Sequence, residues 1–395
     1  MMKIRISSRA TLHLLAILLV SVMGCDHPPK APDTDPKSMA DVLGQAANDA
    51  NDSTFAPVVL GYQFDFPRDH LAHKGFRQEW WYLTANLTTE NGEQLGAQWT
   101  QFRVALKPPR SSLQKPSLQS QSTWASEQLY FAHSALTSSR DHLAHEKWSR
   151  GHTELAGITA SPYRIHLDNW QWLSESEELF PATLTVENLD FSYRLKLNSQ
   201  APLQYQGKQG YSIKSRDSQV ASYYYSQPFI EISGEINRNG KIERVTGQGW
   251  LDREWSSQFL TKTQQGWDWF ALRLNDGSAL MLFQLRDQSP AENSKKAPIS
   301  AFYSARRMFA DGTGRNINST DNPNDIQMTP LKWQHTVNGD YPVSWQVNIP
   351  SENISLTITP LNPNSAMPLS TFYWEGPVEI LGSHTGTGYM ELTGY

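Results

Sequence analysis

Acidic side chains set among tryptophans are the first feature of this chain that could do chemistry. In Gly249-Trp250-Leu251-Asp252-Arg253-Glu254-Trp255, strand alternation puts Trp250, Asp252 and Glu254 on one face. Two carboxyls so close push one of the pair upward and keep a proton available near neutral pH. Aromatic faces beside them can stabilise positive charge. Asp268, between Trp267 and Trp269, alternates onto the face of Phe270 and Leu272, and Glu79 falls likewise with Trp81 and Leu83. A carboxylate on an apolar face is costly unless paired. Asp252, Glu254, Asp268 and Glu79 are therefore the candidate catalytic acids. Trp81, Phe102, Trp250, Trp255, Trp269, Phe270, Tyr225 and Trp374 are the candidate ligand-binding aromatics. A competing structural account bonds the same acids to Arg253, Arg273 or backbone amides at a barrel rim.

Other chemistries are weaker. Asp69-His70-Leu71-Ala72-His73 recurs as Asp141-His142-Leu143-Ala144-His145, with His133 and His152 nearby. Both blocks read as loops whose histidines bond backbone and cap turns, and no metal or other cofactor is called for. No Gly-x-Ser-x-Gly elbow occurs, so a serine hydrolase has no visible nucleophile. Gly382, Gly386 and Gly388 precede no helix pattern and read as a bulged strand rather than a phosphate loop.

The elements that position these groups read as antiparallel β, from period-two patterning and closely spaced turn dipeptides. In residues 79–106, Asn91-Gly92 predicts a two-residue hairpin. That register sets Leu87 opposite Gly96, Leu83 opposite Thr100, Trp81 opposite Phe102 and Glu79 opposite Val104, with Trp80 opposite Arg103 and Tyr82 opposite Gln101 on the other face. Residues 266–287 repeat the arrangement about Asp276-Gly277, with Trp267 facing Arg286, and the likeness reads as an internal duplication. A further hairpin at Asn239-Gly240 pairs Glu235 with Arg244. Strands are expected at 129–131, 193–197, 223–225, 229–236, 344–349, 355–359 and 372–380, with polar loops at 288–298 and 312–328. Two barrels follow, residues 54–241 and 242–395, each closed to protect its edges.

The N-terminus sets an address. Lys3, Arg5 and Arg9 precede an apolar run from Leu12 to Met23, and Val22-Met23-Gly24-Cys25 reads as a lipid-attachment site, making residues 1–24 a cleaved signal. Cys25 is the one cysteine of the chain, so acylation there leaves no thiol for disulfides, zinc or nucleophilic catalysis. Asp26 after it favours the inner membrane over the outer, on the periplasmic side. Residues 25–53, rich in Pro, Asp, Ser and Ala, read as a flexible linker, with a helical turn or two allowed in MADVLGQAA. Loss of the three cations moves the net charge from −5 to −8, which argues against nucleic acid as a partner. The 14 Trp, 15 Tyr and 15 Phe suit an aromatic-walled cavity.

Several blocks in one order (FDFPRDHLAHKGFRQEWWYLTANL, FAHSALTS, SRGHTELAG, LDNWQW, ASYYYSQP, GQGWLDREW, GWDWFALRL, FYWEGPVEI and GYMELTGY) resemble the AttH and carotenoid hydratase (CrtC) family of lipocalin-like proteins. The resemblance runs from about Gly61 to Tyr395 and implies two tandem lipocalin-like β-barrels. It also implies either a hydratase-type enzyme acting on isoprenoid double bonds or an accessory lipoprotein of an AttEFGH-type ABC transporter that meets a permease. Where the hydratases carry a histidine and an aspartate, this chain has Arg253 and, near the second position, Gln284. Arginine gives up no proton at physiological pH, so the hydratase mechanism is not expected to transfer intact. The expectation is a membrane-anchored protein holding an elongated lipophilic molecule, isoprenoid or lipid, and hydrating, isomerising or cyclising it by acid catalysis.

Overall fold

The computed structural model describes residues 37–44, 55–109, 126–152, 154–287, 301–318, 322 and 324–395. The leader, Cys25, Asp26 and the loop expected at 288–298 lie outside the described residues. The chain folds as two antiparallel sheets. A 13-stranded sheet is built between Gln78 and Ser256, and a nine-stranded sheet between Gln264 and Leu392. The first curls into a nearly closed barrel, with the edge strand His142–Arg150 approaching Arg164–Leu167 across the seam. The second is a half-barrel ending at Gly314–Asn318 on one side and Gln327–Thr336 on the other. Among the described residues no helix is long and apolar enough to cross a membrane.

Alternation builds both cores. Along Phe191–Asn198, Phe191, Tyr193, Leu195 and Leu197 are buried while Lys196 and Asn198 face water. The barrel interior is filled by Trp81, Trp99, Trp170, Trp172 and Trp255, and the half-barrel by Phe270, Trp345 and Trp374. Each such large side chain contributes roughly 1.5–3 kcal/mol by leaving water. These interiors are packed cores.

Both long hairpins differ from the expected register by one residue, for the same reason. Thr89 and Glu93 close a three-residue loop in which the Gly92 N–H donates to the Thr89 carbonyl and Gly92 takes φ +83°. Leu274, Ser278 and Gly277, at φ +84°, repeat it. This is the type I turn followed by a left-handed glycine, not the two-residue turn that needs positive φ at both central residues. Consequently Leu83 faces Trp99, Trp81 faces Gln101, Glu79 faces Arg103 and Trp80 faces Phe102, while Trp267 faces Leu285 and Asp268 faces Gln284. The expected Trp80–Arg103 and Trp267–Arg286 contacts do not form. At Asn239-Gly240 both residues have positive φ, and the two-residue turn pairs Glu235 with Arg244 as expected.

That third hairpin also moves the division of the chain. Its return strand, Lys241–Ser256, pairs with Gln78–Thr89 in the first sheet, so the changeover falls at 257–263 rather than at 241. The stretch expected to be a loop at 312–328 contains the strand Gly314–Asn318. The expected linker contains an ordered piece. Lys37 and Ser38 pair in parallel with Thr371 and Phe372, and a helix, Met39–Gly44, follows with Met39 and Leu43 buried.

The duplication extends beyond the hairpins. In the first sheet the order Gln94–Ala105, Gln78–Thr89, Lys241–Ser256, Ala221–Arg238 matches Ala279–Asp287, Gln264–Leu274, Gly386–Leu392, Trp374–Gly382 in the second. The two four-strand units meet back to back. Gly96 permits this approach, because a Cβ there would stand 2.4 Å from the Tyr389 hydroxyl and 2.6 Å from Pro377. Asn86 Nδ2 donates to the Gly388 carbonyl at 3.0 Å, and Arg273 donates to Asn86 Oδ1 at 2.7 Å.

Candidate active site between the sheets

The four acids singled out in the sequence separate by strand face. Glu79 points into the barrel, where Arg103 and Arg253 both donate to it and His73 Nδ1 lies at 3.1 Å. Despite burial, the two guanidiniums hold it well below the usual carboxylate range. Arg253 in turn lies 3.8 Å over the Trp81 ring. Asp268 points into the half-barrel and accepts from Gln284, from Arg286 Nε at 3.0 Å and from the Tyr395 hydroxyl at 2.7 Å. Burial raises it, opposed by Arg286. Glu79 and Asp268 fasten the two cores and do not line the cavity between the sheets. Arg253 and Gln284, which stand where the resemblance points to a histidine and an aspartate, each bond one of these two acids.

Asp252 and Glu254 alternate to the opposite face and open on a cavity of about 80 Å³ between the two sheets. Its walls come in equivalent pairs from the two units. The pairing Tyr82–Asp252–Ser226 in the first matches Trp269–Glu391–Glu375 in the second. By the same registers Trp80 matches Trp267, and Tyr224 matches Tyr373. All of these except Ser226 line the cavity. The chemistry thus sits on a pseudo-twofold axis, on the outer faces of the sheets.

Asp252 accepts from Tyr224 Oη at 2.7 Å, Trp250 Nε1 at 2.8 Å and Ser226 Oγ. Burial nevertheless pushes it up to about 7, against these three donors and with Glu254 adding repulsion. Glu391 accepts from Trp267 Nε1 at 2.8 Å, and burial, with Asp252 and Glu254 nearby, pushes it up to about 7 as well. Glu375 accepts from Tyr82 and is raised well above the usual carboxylate range, by burial and by Glu391. Glu254 is neutralised by Lys214 Nζ at 2.6 Å and accepts from Ser222. Among the described lining residues Lys214 is the single cation. The arrangement stores protons near neutral pH beneath aromatic walls, as general acid–base work requires.

Of the expected ligand-binding aromatics, Phe102 and Trp269 line the cavity. Trp250 stands behind it, bonded to Asp252 and edge-on to Trp269 at 6.4 Å. Trp81, Trp255 and Tyr225 belong to the barrel core, and Phe270 and Trp374 to the half-barrel core. The structure places these five within the two cores, away from the cavity between the sheets. Trp255 stacks on His73 at 3.8 Å, and Tyr225 bonds His70 Nδ1 at 2.7 Å.

Sequence reasoning missed Glu375, Glu391, Tyr82, Tyr373 and Lys214. A signal for Glu391 was present: Gly247-Gln248-Gly249-Trp250-Leu251-Asp252 and Gly386-Thr387-Gly388-Tyr389-Met390-Glu391 share Gly-x-Gly-aromatic-x-acid. Extending the hairpin alignment onto the flanking strand would have paired the two acids. The histidine blocks do not converge. His73 meets Glu79 and Asp69, His142 bonds Thr137, and His145 bonds Asp190. Among the described residues no group of three or more His, Cys, Asp or Glu is arranged to hold a metal ion. His133, fully buried, places Nδ1 2.9 Å from the Tyr373 hydroxyl at the cavity wall.

The model of the AttH-like family matches residues 57–395. An AttH protein of Nitrosomonas europaea, known from a crystal structure, is 34% identical, with 86% of this chain and 100% of that one covered and a TM-score of 0.71. Kievitone hydratase of Nectria haematococca shares the fold at 14% identity, with 86% of this chain and 96% of that one covered and a TM-score of 0.61. No curated protein matches the sequence.

Proposed function

Because the chain belongs to the AttH-like family and shares its lipocalin-type fold with a hydratase, we propose that the cavity between its sheets takes an apolar, isoprenoid-type ligand and adds or removes water there by acid–base catalysis. One observation carries this reading. Asp252 and Glu391, equivalent across the pseudo-twofold axis, are both held at about 7 in a cavity walled by Trp80, Trp267 and Trp269.

In the forward direction one protonated carboxyl gives its proton to an alkene carbon. The π pair forms the new C–H bond, leaving a cation at the more substituted carbon beside the indole faces. Water adds to that carbon, and its surplus proton passes to the carboxylate of the other group. A carboxyl poised near neutral serves either direction. Glu254, neutralised by Lys214, contributes position and field rather than the transferred proton. The proposed acylation of Cys25 would hold the cavity close to a bilayer, the natural source of such a ligand.

The test is incubation of the protein with isoprenoid alkenes in ¹⁸O-labelled water. Label should enter as a tertiary alcohol, and both Asp252→Asn and Glu391→Gln should suppress it. Unlabelled product, or labelling indifferent to both substitutions, removes the catalytic reading. A binding or transporter-accessory role would then be pursued by co-purification with a permease.

A further inference from the structure

The cavity described here is smaller than the ligand proposed for it. At about 80 Å³ it falls well below the roughly 300–1,000 Å³ of typical small-molecule sites. Either the ligand is very small or part of the wall moves. Most wall residues sit on strands of the two sheets, and Lys214, Phe259, Leu260 and Tyr373 sit on short connections between strands. The segment 37–44 belongs to neither sheet.

This segment fills space that otherwise belongs to the cavity. Met39 and Leu43, one helical turn apart, present both side chains to it, and both are buried, packed with Phe102, Phe131, Met367 and Tyr373. Among the described residues, the segment's Lys37 and Ser38 pair with Thr371 and Phe372, Gln78 Nε2 donates to the Leu43 carbonyl at 3.1 Å, and Ala40 and Val42 pack beside Met39 and Leu43. Its helix has six residues, too short to persist without tertiary contacts. Departure would expose Met39, Ala40 and Leu43 and break a two-residue strand pairing but none within the two large sheets, which is the profile of an element that opens before the rest of the fold.

We propose that residues 37–44 are a detachable wall of the site. Met39 and Leu43 occupy the ligand's place in the empty protein, and the segment leaves as ligand enters. This rests on the reading of the cavity as a ligand site, and adds that the size of the accepted ligand is set by displacing this segment. The ligand's apparent affinity is then lowered by the fraction of molecules in which the segment is docked.

The full chain is titrated with the uncharged fluorophore N-phenyl-1-naphthylamine, and hydrogen exchange of the peptide spanning 37–44 is followed with and without it. Saturation with fluorophore should speed exchange across Met39–Gly44 by about tenfold or more, and Met39→Ser/Leu43→Ser should bind it about tenfold tighter. Exchange that is unchanged or slowed in the bound protein overturns the proposal, since the segment is then a fixed wall or closes over the ligand. The wild-type exchange decides the matter even where the double variant fails to fold. Trp269→Ala separates the two readings. If it abolishes fluorophore binding while exchange at 37–44 never responds, the ligand site stands and the detachable wall falls. Absence of binding, or binding indifferent to Trp269→Ala, sinks both.

Discussion

Glu79 and Asp252 lie on neighbouring paired strands, each buried, and end in opposite electrostatic states. Glu79 stands opposite Trp255 and Asp252 opposite Tyr82 in one continuous register. Yet Glu79 is locked in its charged form between two arginines, and Asp252 is lifted to about 7 among hydroxyls and an indole N–H. The second unit repeats the placement but not the charge states, with Asp268 inward against Arg286 yet raised by burial, and Glu391 outward against Trp267 and raised as well. Strand alternation divides the labour: the inward face receives guanidiniums and serves stability, whereas the outward face receives neutral donors and keeps a proton to exchange.

The contrast can be broken most visibly through activity. Asp252→Asn or Glu391→Gln should lower labelled-water incorporation by about 10²–10⁴-fold, the usual size of general acid–base catalysis, with circular dichroism unchanged. Glu79→Gln should do the reverse, costing about 3–5 kcal/mol of stability in denaturant titrations because two buried guanidiniums lose their anion. Should Glu79→Gln unfold nothing and abolish turnover, the division between the faces is wrong.

The pH dependence sharpens the same point. Asp252 and Glu391 stand at about 7 when folded, above ordinary values of 3.8 and 4.5. Their contribution to stability is therefore fully present below about pH 4 and lost as pH rises through 7. The variant Asp252→Asn/Glu391→Gln should gain stability relative to wild type between pH 4 and pH 8, by several kcal/mol, in melts at both ends of that range. Glu79→Gln should show the opposite trend, because Glu79 is depressed and its contribution fades only in strong acid. His133 and His142, buried and lowered to about 4, lose their contribution as pH falls from 6.5 toward 4, and the comparison with wild type cancels them. The smallest effect is expected from Tyr224→Phe. Removing one donor to the Asp252 carboxylate should shift the pH profile of turnover upward by less than one unit, with little change in stability.

The all-β class, the three hairpins and the pairing of Asp252 with Glu254 on one face were legible because alternation is a property of adjacent residues. Register was not. Asn91-Gly92 and Asn239-Gly240 are the same dipeptide, yet one belongs to a three-residue loop and the other to a two-residue turn. The inward face was legible, since Trp81 and Leu83 do fill the barrel, but the use of the outward face was not, because Trp80 and Tyr82 gave no sign of what they would meet. The outward pair was free to build a second apolar surface, and the cavity formed between units rather than within them. Glu375 and Glu391 reach that cavity from strands more than a hundred residues away, which no local pattern announces.

The docking of residues 37–44 has a mechanical side. Eleven residues lie between Cys25 and Lys37, so with Cys25 acylated as proposed, Lys37 stands at most about 40 Å from the acylated end, the reach of a fully extended chain of that length. Undocking the eight residues that follow would pay out up to about 27 Å more line. Loaded and empty molecules would then range to different heights above the membrane, and a neighbour stationed at the greater height would meet loaded copies.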